Sequence, residues 1–173
     1  MTKILPLPVK KNKFGEKVAD ISIKKYYRQI CEEVVEAHDW HDTVYEAEEL
    51  VDVITCCITR LNIIKCKDVV GVIDNQKKYY SEPADFYTDL VAAVMESYHA
   101  AKMAKVFDYL QNEGCGYCAT DLAEVEYVEK YCLGYIIVMC IKRLEKLGYY
   151  ESARQKIYQA VNDKNRKRGY FEE

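Results

Sequence analysis

The sequence predicts an all-α protein: a four-helix bundle of two helical hairpins with one further helix at the C-terminal end. Three observations carry this expectation. Only 7 glycines and 3 prolines occur in 173 residues, and Pro6, Pro8 and Pro83 lie outside the long periodic stretches, so little interrupts extended helices. Apolar residues recur at helical rather than strand spacing through those stretches. The two halves of the chain also echo one another, as duplication of a hairpin would require. Half the residues are hydrophobic and 31% are charged, a globular composition that excludes a disordered or fibrous chain. The length fits one domain spanning residues 1–173.

Residues 1–20 are polar and basic with two prolines and read as an irregular arm. From Ile21 to about His38, Ile23, Tyr27, Ile30 and Val34 mark a helix. The chain turns through His38-Asp39-Trp40-His41-Asp42, and Thr43 with Glu46 three residues on forms a capping box to start the next helix. That helix carries Val44, Leu50, Val51, Ile54, Ile58 and Leu61. Lys67 to Pro83 reads as a connector. The segments around Asp89–Ser97 and Ile136–Leu144 then supply a second hairpin, and an amphipathic stretch from Tyr150 to about Arg166 ends before Gly169.

The duplication is specific. Gln29–Ala37 is matched by Asp89–Ser97 sixty positions later, and Val53–Leu61 by Ile136–Leu144 eighty-three positions later. Repeat one is therefore placed at about 21–66, repeat two at about 84–148, and the C-terminal helix and tail at 149–173. The unequal offsets put roughly twenty extra residues in the second hairpin, around Ala104 to Thr120.

A net charge of −3 makes no case for nucleic acid as a partner. The longest apolar run, Cys132 to Ile141, is broken by Gly134 and is about half of a bilayer span, so no membrane association is expected. No signal-peptide core is visible near the N-terminus, and the expected location is cytoplasmic. There the 8 cysteines read as thiols. Six of them (Cys31, Cys56, Cys57, Cys66, Cys132 and Cys140) fall in helical patterns as core residues. Cys115 and Cys118 form a C-G-Y-C turn without a second ligand pair, so a structural or incidental pair is favoured over zinc or redox chemistry.

Four acidic residues have an arrangement that core packing does not require. Glu33 and Glu36 share one face of the first helix, and Glu49 and Asp52 share one face of the second. Pairing Glu36 with Glu49 and Glu33 with Asp52 centres both pairs on the same turn, so a folded hairpin sets the four carboxylates at similar heights. Crowded carboxylates beside apolar walls repel one another and lose hydration. A hard divalent cation relieves this, and all-oxygen ligands suit Mg²⁺, with Mn²⁺ as a substitute. Solvated acidic helix faces are the plain alternative.

Glu32-Glu33-Val34-Val35-Glu36, followed after twelve residues by Glu49-Leu50-Val51-Asp52, resembles the E-E-x-x-E…E-x-x-D signature of the MazG-like all-α nucleoside triphosphate pyrophosphatases. That superfamily includes dimeric dUTPases and dCTP pyrophosphatases. Asn165 and Arg168 match the family's C-terminal K…N-x-x-R-G element, which meets substrate phosphates, and either Lys164 or Lys156 stands for its lysine. The resemblance implies Mg²⁺-dependent hydrolysis of a nucleoside triphosphate (ribo or deoxy) to monophosphate and pyrophosphate, in nucleotide-pool house-cleaning. It also implies one working site per chain: repeat two keeps Glu96 but has Ala93, Cys132 and Tyr135 where the other carboxylates would stand.

On this reading Glu33, Glu36, Glu49 and Asp52 are metal ligands, and Glu32, Glu33 and Glu36 are catalytic candidates. Glu32 or Glu36 would orient or deprotonate the attacking water. Lys164, Asn165 and Arg168 are phosphate-binding candidates, with a solvated basic tail as the alternative. Trp40 and His38, in the first turn with His41, are base-contact candidates, against packing of the turn around its own aromatic. Both a single chain and a homodimer can complete such a site. A catalytically inert helical module that binds nucleotide or a partner is the competing function. A di-iron bundle is disfavoured by the lack of Glu-x-x-His pairs.

Overall fold

The computed structural model describes residues 5–113 and 119–172. α1 (Ile23–Asp39) begins at Ser22, whose hydroxyl accepts from the Lys25 backbone N–H at 3.3 Å. Tyr26, Tyr27, Ile30, Val34 and Ala37 recur at helical spacing and are the residues α1 buries. α2 (Glu46–Ile63) returns antiparallel to it, and its Leu50, Val51, Ile54, Cys57 and Leu61 are fully buried.

α2 starts later than the capping box predicts. The Thr43 hydroxyl donates to the Trp40 carbonyl at 2.6 Å, and Glu46 accepts from the Asp42 N–H at 2.7 Å instead of the Thr43 N–H. Glu46 is completely buried, because Arg143 and Tyr87 hold it inside.

The stretch read as a connector contains α3 (Val69–Lys77), opened by Asp68 accepting from the Gly71 N–H at 2.8 Å. α3 lies against α5, and a Cβ at Gly134 would stand 2.6 Å from Val72 Cγ1, so the glycine is what permits that approach. α4 (Phe86–Asn112), α5 (Ala119–Lys146) and α6 (Glu151–Lys167) complete the chain. The extra residues of the second hairpin lengthen its helices: α4 and α5 have 27 and 28 residues against 17 and 18 in α1 and α2. Cys115 and Cys118 lie outside the described residues.

The fold is all-α. α1 packs on α2 and α4, and α5 packs on α4 and α2, so two antiparallel hairpins form the bundle and one hydrophobic cluster runs through it. Two buried polar triads tie the hairpins together. The Tyr87 hydroxyl donates to Glu46 Oε1 at 2.7 Å, and Arg143 Nε donates to the same oxygen at 2.7 Å. The Tyr27 hydroxyl donates to Glu129 Oε1 at 2.9 Å, and Arg60 Nε donates to that oxygen at 2.7 Å.

The tyrosines are sixty positions apart, and the glutamates and the arginines eighty-three, the offsets of the sequence repeat. Each triad takes its tyrosine from one hairpin, its glutamate from the other and its arginine from the first again, except that the roles of the hairpins are exchanged. Such a swap is what a two-fold relation between duplicated hairpins generates. Among the described residues, no helix is long and apolar enough to cross a membrane.

Candidate functional site

Glu33 and Glu36 on α1 and Glu49 on α2 each offer a carboxylate oxygen within 4.8 Å of the others. The i, i+3 spacing turns each helical pair toward the hairpin interface, and the antiparallel return sets them at one level. Asp52 faces the same cavity but has a partner, since Lys164 Nζ donates to its Oδ2 at 2.5 Å.

Burial, then the charges of Asp52 and Glu36, pushes the Glu33 carboxyl up to about 8 from its ordinary 4.5. Burial followed by Asp52 raises Glu49 as well. Burial raises Asp52 too, although Lys164 and Arg168 oppose it. Ionising all these groups together in the bare protein is therefore unfavourable.

A cavity of about 410 Å³ opens over the carboxylates. α6 supplies Lys164 and Asn165 to its wall and its C-cap residue supplies Arg168, so the C-terminal element reaches the acidic hairpin of its own chain. Lys156, the other lysine considered, is solvent-exposed and does not line the cavity.

The N-terminal arm also contributes to the wall. Leu7 N–H donates to Asn162 Oδ1 and Val9 N–H to Thr59 Oγ1, both at 3.0 Å. The Lys10 and Lys11 N–H groups donate to the Tyr170 carbonyl at 2.7 and 3.0 Å, which fastens arm to tail. Lys11 and Lys13 thereby join Lys164 and Arg168 on the cavity wall. Lys13 pairs with Glu32 at 3.2 Å, and its pKa is raised, against burial, by Glu32 and then by Glu33 and Glu36.

The chain matches no protein-family model, no curated protein and no solved structure. Its site is read from its own geometry.

That geometry gathers Glu33, Glu36, Glu49, Asp52, Lys164, Asn165 and Arg168 around one cavity. Glu32 is not among them. One residue from Glu33 is about 100° around a helix, and Glu32 turns outward to Arg28 and Lys13, each at 3.2 Å. Nor do the base-contact candidates line it. Trp40 packs on Tyr45 with ring centroids 5.0 Å apart, and His38 and His41 pack on Tyr87 at 5.0 and 5.7 Å. Trp40 thus closes on the turn's own Tyr45 while the histidines pack on Tyr87 of α4, with Asp42 at a left-handed φ of 58° and Glu46 bonded back to the Asp42 N–H.

Sequence reasoning missed Lys11, Lys13 and Gln29. The arm has no periodicity, and its shape depends on Asn12, whose side-chain oxygen accepts from the Phe14 and Glu16 N–H groups at 2.9 and 3.0 Å. The signal that was present is the run of lysines at 10, 11 and 13 beside an acidic hairpin.

Proposed function

We propose that this chain is a Mg²⁺-dependent nucleoside triphosphate pyrophosphohydrolase. The observation that carries the reading is one cavity in which clustered carboxylates face Lys11, Lys13, Lys164 and Arg168. Carboxylates alone would repel a triphosphate, and cations alone would have no need of a partly buried acidic cluster.

The donor set is all oxygen, partly buried and mutually repulsive, which fits a hard divalent cation. Glu33, Glu36, Glu49 and Asp52 would hold it. Bound Mg²⁺ would supply charge neutralisation at the carboxylates and polarisation of the α-phosphate. Glu36 is the most exposed of the three clustered glutamates and is the residue assigned to orient water and take its proton. Glu32 is engaged with Lys13 and Arg28 and is left out of that role.

Water adds to the α-phosphorus, the bond to the α–β bridging oxygen breaks, and pyrophosphate departs with that oxygen. Arg168, Lys11 and the Asn165 amide would hold the β- and γ-phosphates by charge-assisted hydrogen bonds. Lys164 would exchange Asp52 for phosphate.

The test is a panel of nucleoside triphosphates with Mg²⁺, scoring pyrophosphate against orthophosphate. Pyrophosphate release is the expected result, and orthophosphate alone would contradict attack at the α-phosphorus. A catalytically inert nucleotide-binding module is the second reading, favoured by the Lys164–Asp52 ion pair, which neutralises one ligand internally. Nucleotide binding with no product of either kind would establish it.

A further inference from the structure

Beyond the carboxylates the cavity continues along the hairpin. Gln29 precedes Glu33 by four residues and Tyr26 by seven, so they stand about 6 and 10 Å further along α1. Thr55 and Cys56 face them from α2, and Val9 and Val18 from the arm. This part of the cavity is largely apolar, and most of its polar side-chain atoms are already engaged. The Tyr26 hydroxyl donates to the Cys56 carbonyl at 2.8 Å, and the Thr55 hydroxyl to the Val51 carbonyl at 2.8 Å. The Gln29 Nε2 is different: it is buried and has no hydrogen-bond partner. A buried amide donor without a partner is unfavourable, a cost that a ligand acceptor would remove.

We propose that Gln29 is a specificity-determining residue and that this end of the cavity is a nucleobase subsite. Its ligand is the flat heteroaromatic base of the substrate, enclosed by Tyr26, Val9, Val18 and Cys56. The Gln29 carboxamide donates to a ring carbonyl or ring-nitrogen acceptor on that base. The inference rests on the pyrophosphohydrolase reading and extends it: the carboxylate layer fixes the position of the α-phosphate, and the nucleoside then runs toward Gln29. Selection among bases follows, because a base without an acceptor at this position leaves the amide unpaired.

The experiment measures kcat/KM for dATP, dGTP, dCTP, dTTP, dUTP and CTP with Mg²⁺ on wild type, Gln29→Leu and the near-isosteric Gln29→Glu. Wild type should discriminate among bases. Both variants should lose roughly ten- to hundredfold on the preferred base and little on the poorest, as expected for one buried hydrogen bond. Gln29→Leu should melt no lower than wild type, since it removes an unpaired donor. An equal loss on every base, no loss on any, or an effect that follows CTP against dCTP in place of the base would overturn the proposal.

Calorimetric titration with the corresponding nucleoside monophosphates separates this failure from failure of the parent reading. If wild type releases no pyrophosphate but binds monophosphates with a base preference that Gln29→Leu erases, the hydrolase reading falls and the subsite stands. If no nucleotide binds, or if the preference survives Gln29→Leu, the subsite falls.

Discussion

Hairpin one (α1 and α2) and hairpin two (α4 and α5) share equivalent buried triads, Tyr87–Glu46–Arg143 and Tyr27–Glu129–Arg60, yet differ at three of four positions on the face that bears the acidic cluster. On hairpin one that face carries Glu33, Glu36, Glu49 and Asp52 under a cover of arm and α6, and a cavity remains between them. On hairpin two the counterparts are Ala93, Glu96, Cys132 and Tyr135, and α3 lies against the helix that carries the last two. Val72 approaches Gly134, and the Tyr80 and Tyr135 rings stand 6.4 Å apart. The interior that joins the hairpins constrained both copies, whereas the outer face was free to follow its cover. Where the cover is the basic arm and α6 four carboxylates stand, and where α3 packs against the hairpin only Glu96 is kept.

The largest effect should come from breaking the acidic face on one hairpin only. Glu49→Gln or Asp52→Asn should abolish pyrophosphate release, a loss beyond the roughly 10–100-fold that accompanies an outer-shell defect at a metal site. Helical content by circular dichroism should be unchanged. Cys132→Ser and Tyr135→Phe, the counterparts on hairpin two, should keep wild-type rates. Near-normal turnover in either carboxylate variant would remove the quartet from the chemistry.

The triads test the shared part. Arg143 and Glu46 have side chains 15% and 0% exposed, and Arg60 and Glu129 11% and 3%. Removing the cation leaves a buried, uncompensated carboxylate, so Arg143→Met and Arg60→Met should each cost about 3–5 kcal/mol in urea unfolding. The double replacement Glu46→Leu with Arg143→Met should recover much of that cost. If one arginine matters and the other does not, the two triads are not equivalent, and the two-fold relation has no energetic content.

Hairpin one also contains two glutamates of opposite pH behaviour. Burial pushes Glu46 up, but hydrogen bonds from Arg143, Tyr87 and the Asp42 N–H outweigh it, and its pKa lies below 4.5. Its contribution is present above the unfolded value and is lost as pH falls through the folded one. Glu33 is raised to about 8, so between 4.5 and 8 the folded chain keeps a proton that the unfolded chain has released. Metal-free stability should therefore decline as pH rises through that window, by an amount on the order of a few kcal/mol. Glu49 and Asp52, both raised, add in the same direction. Melting curves from pH 5 to 8 in EDTA should show the decline, and Glu33→Gln should flatten most of it. A stability that rises across this range would mean that Glu33 titrates normally.

How much of this was legible in the chain depended on periodicity. α1 and α6 fall within two residues of their predicted limits, because their apolar residues repeat at helical spacing and Gly169 follows the end of α6, although a start at Ile21 overlooked the Ser22 cap. The quartet was legible for the same reason, as i, i+3 pairs mirrored about a turn. α3 was not. Its β-branched run is weakly helical alone, and it is held by Ile73 and Gln76, buried by long-range packing. The Thr43–Glu46 motif misled because Glu46 answers to Arg143, 97 residues away, more strongly than to its own turn. The matched blocks already pair Arg60 with Arg143, and the same offset of eighty-three, extended seven residues before the block, would have paired Glu46 with Glu129.

The smallest expected effect concerns the cover of hairpin one, where arm and tail meet at the Tyr170 carbonyl. Arg168 and Lys11 both line the cavity, but Arg168 sits at the C-cap of α6, whereas Lys11 lies on the irregular arm and is tied to the tail through its N–H. One charge-assisted contact is worth roughly 1.5–3 kcal/mol, so Arg168→Ala should lower kcat/KM for triphosphates about ten- to a hundredfold. Lys11→Ala, removing a single charge that lies outside any helix, should cost less, on the order of a few-fold to tenfold. Mn²⁺ affinity should be unchanged in both, since neither residue is a ligand. Because the tail meets the acidic hairpin of its own chain, mixing Arg168→Ala with Glu49→Gln protein should restore no activity. Recovery in the mixture would place the working tail on a second copy, and unchanged kinetics in both variants would make arm and tail a solvated basic cover that leaves the phosphates to other groups.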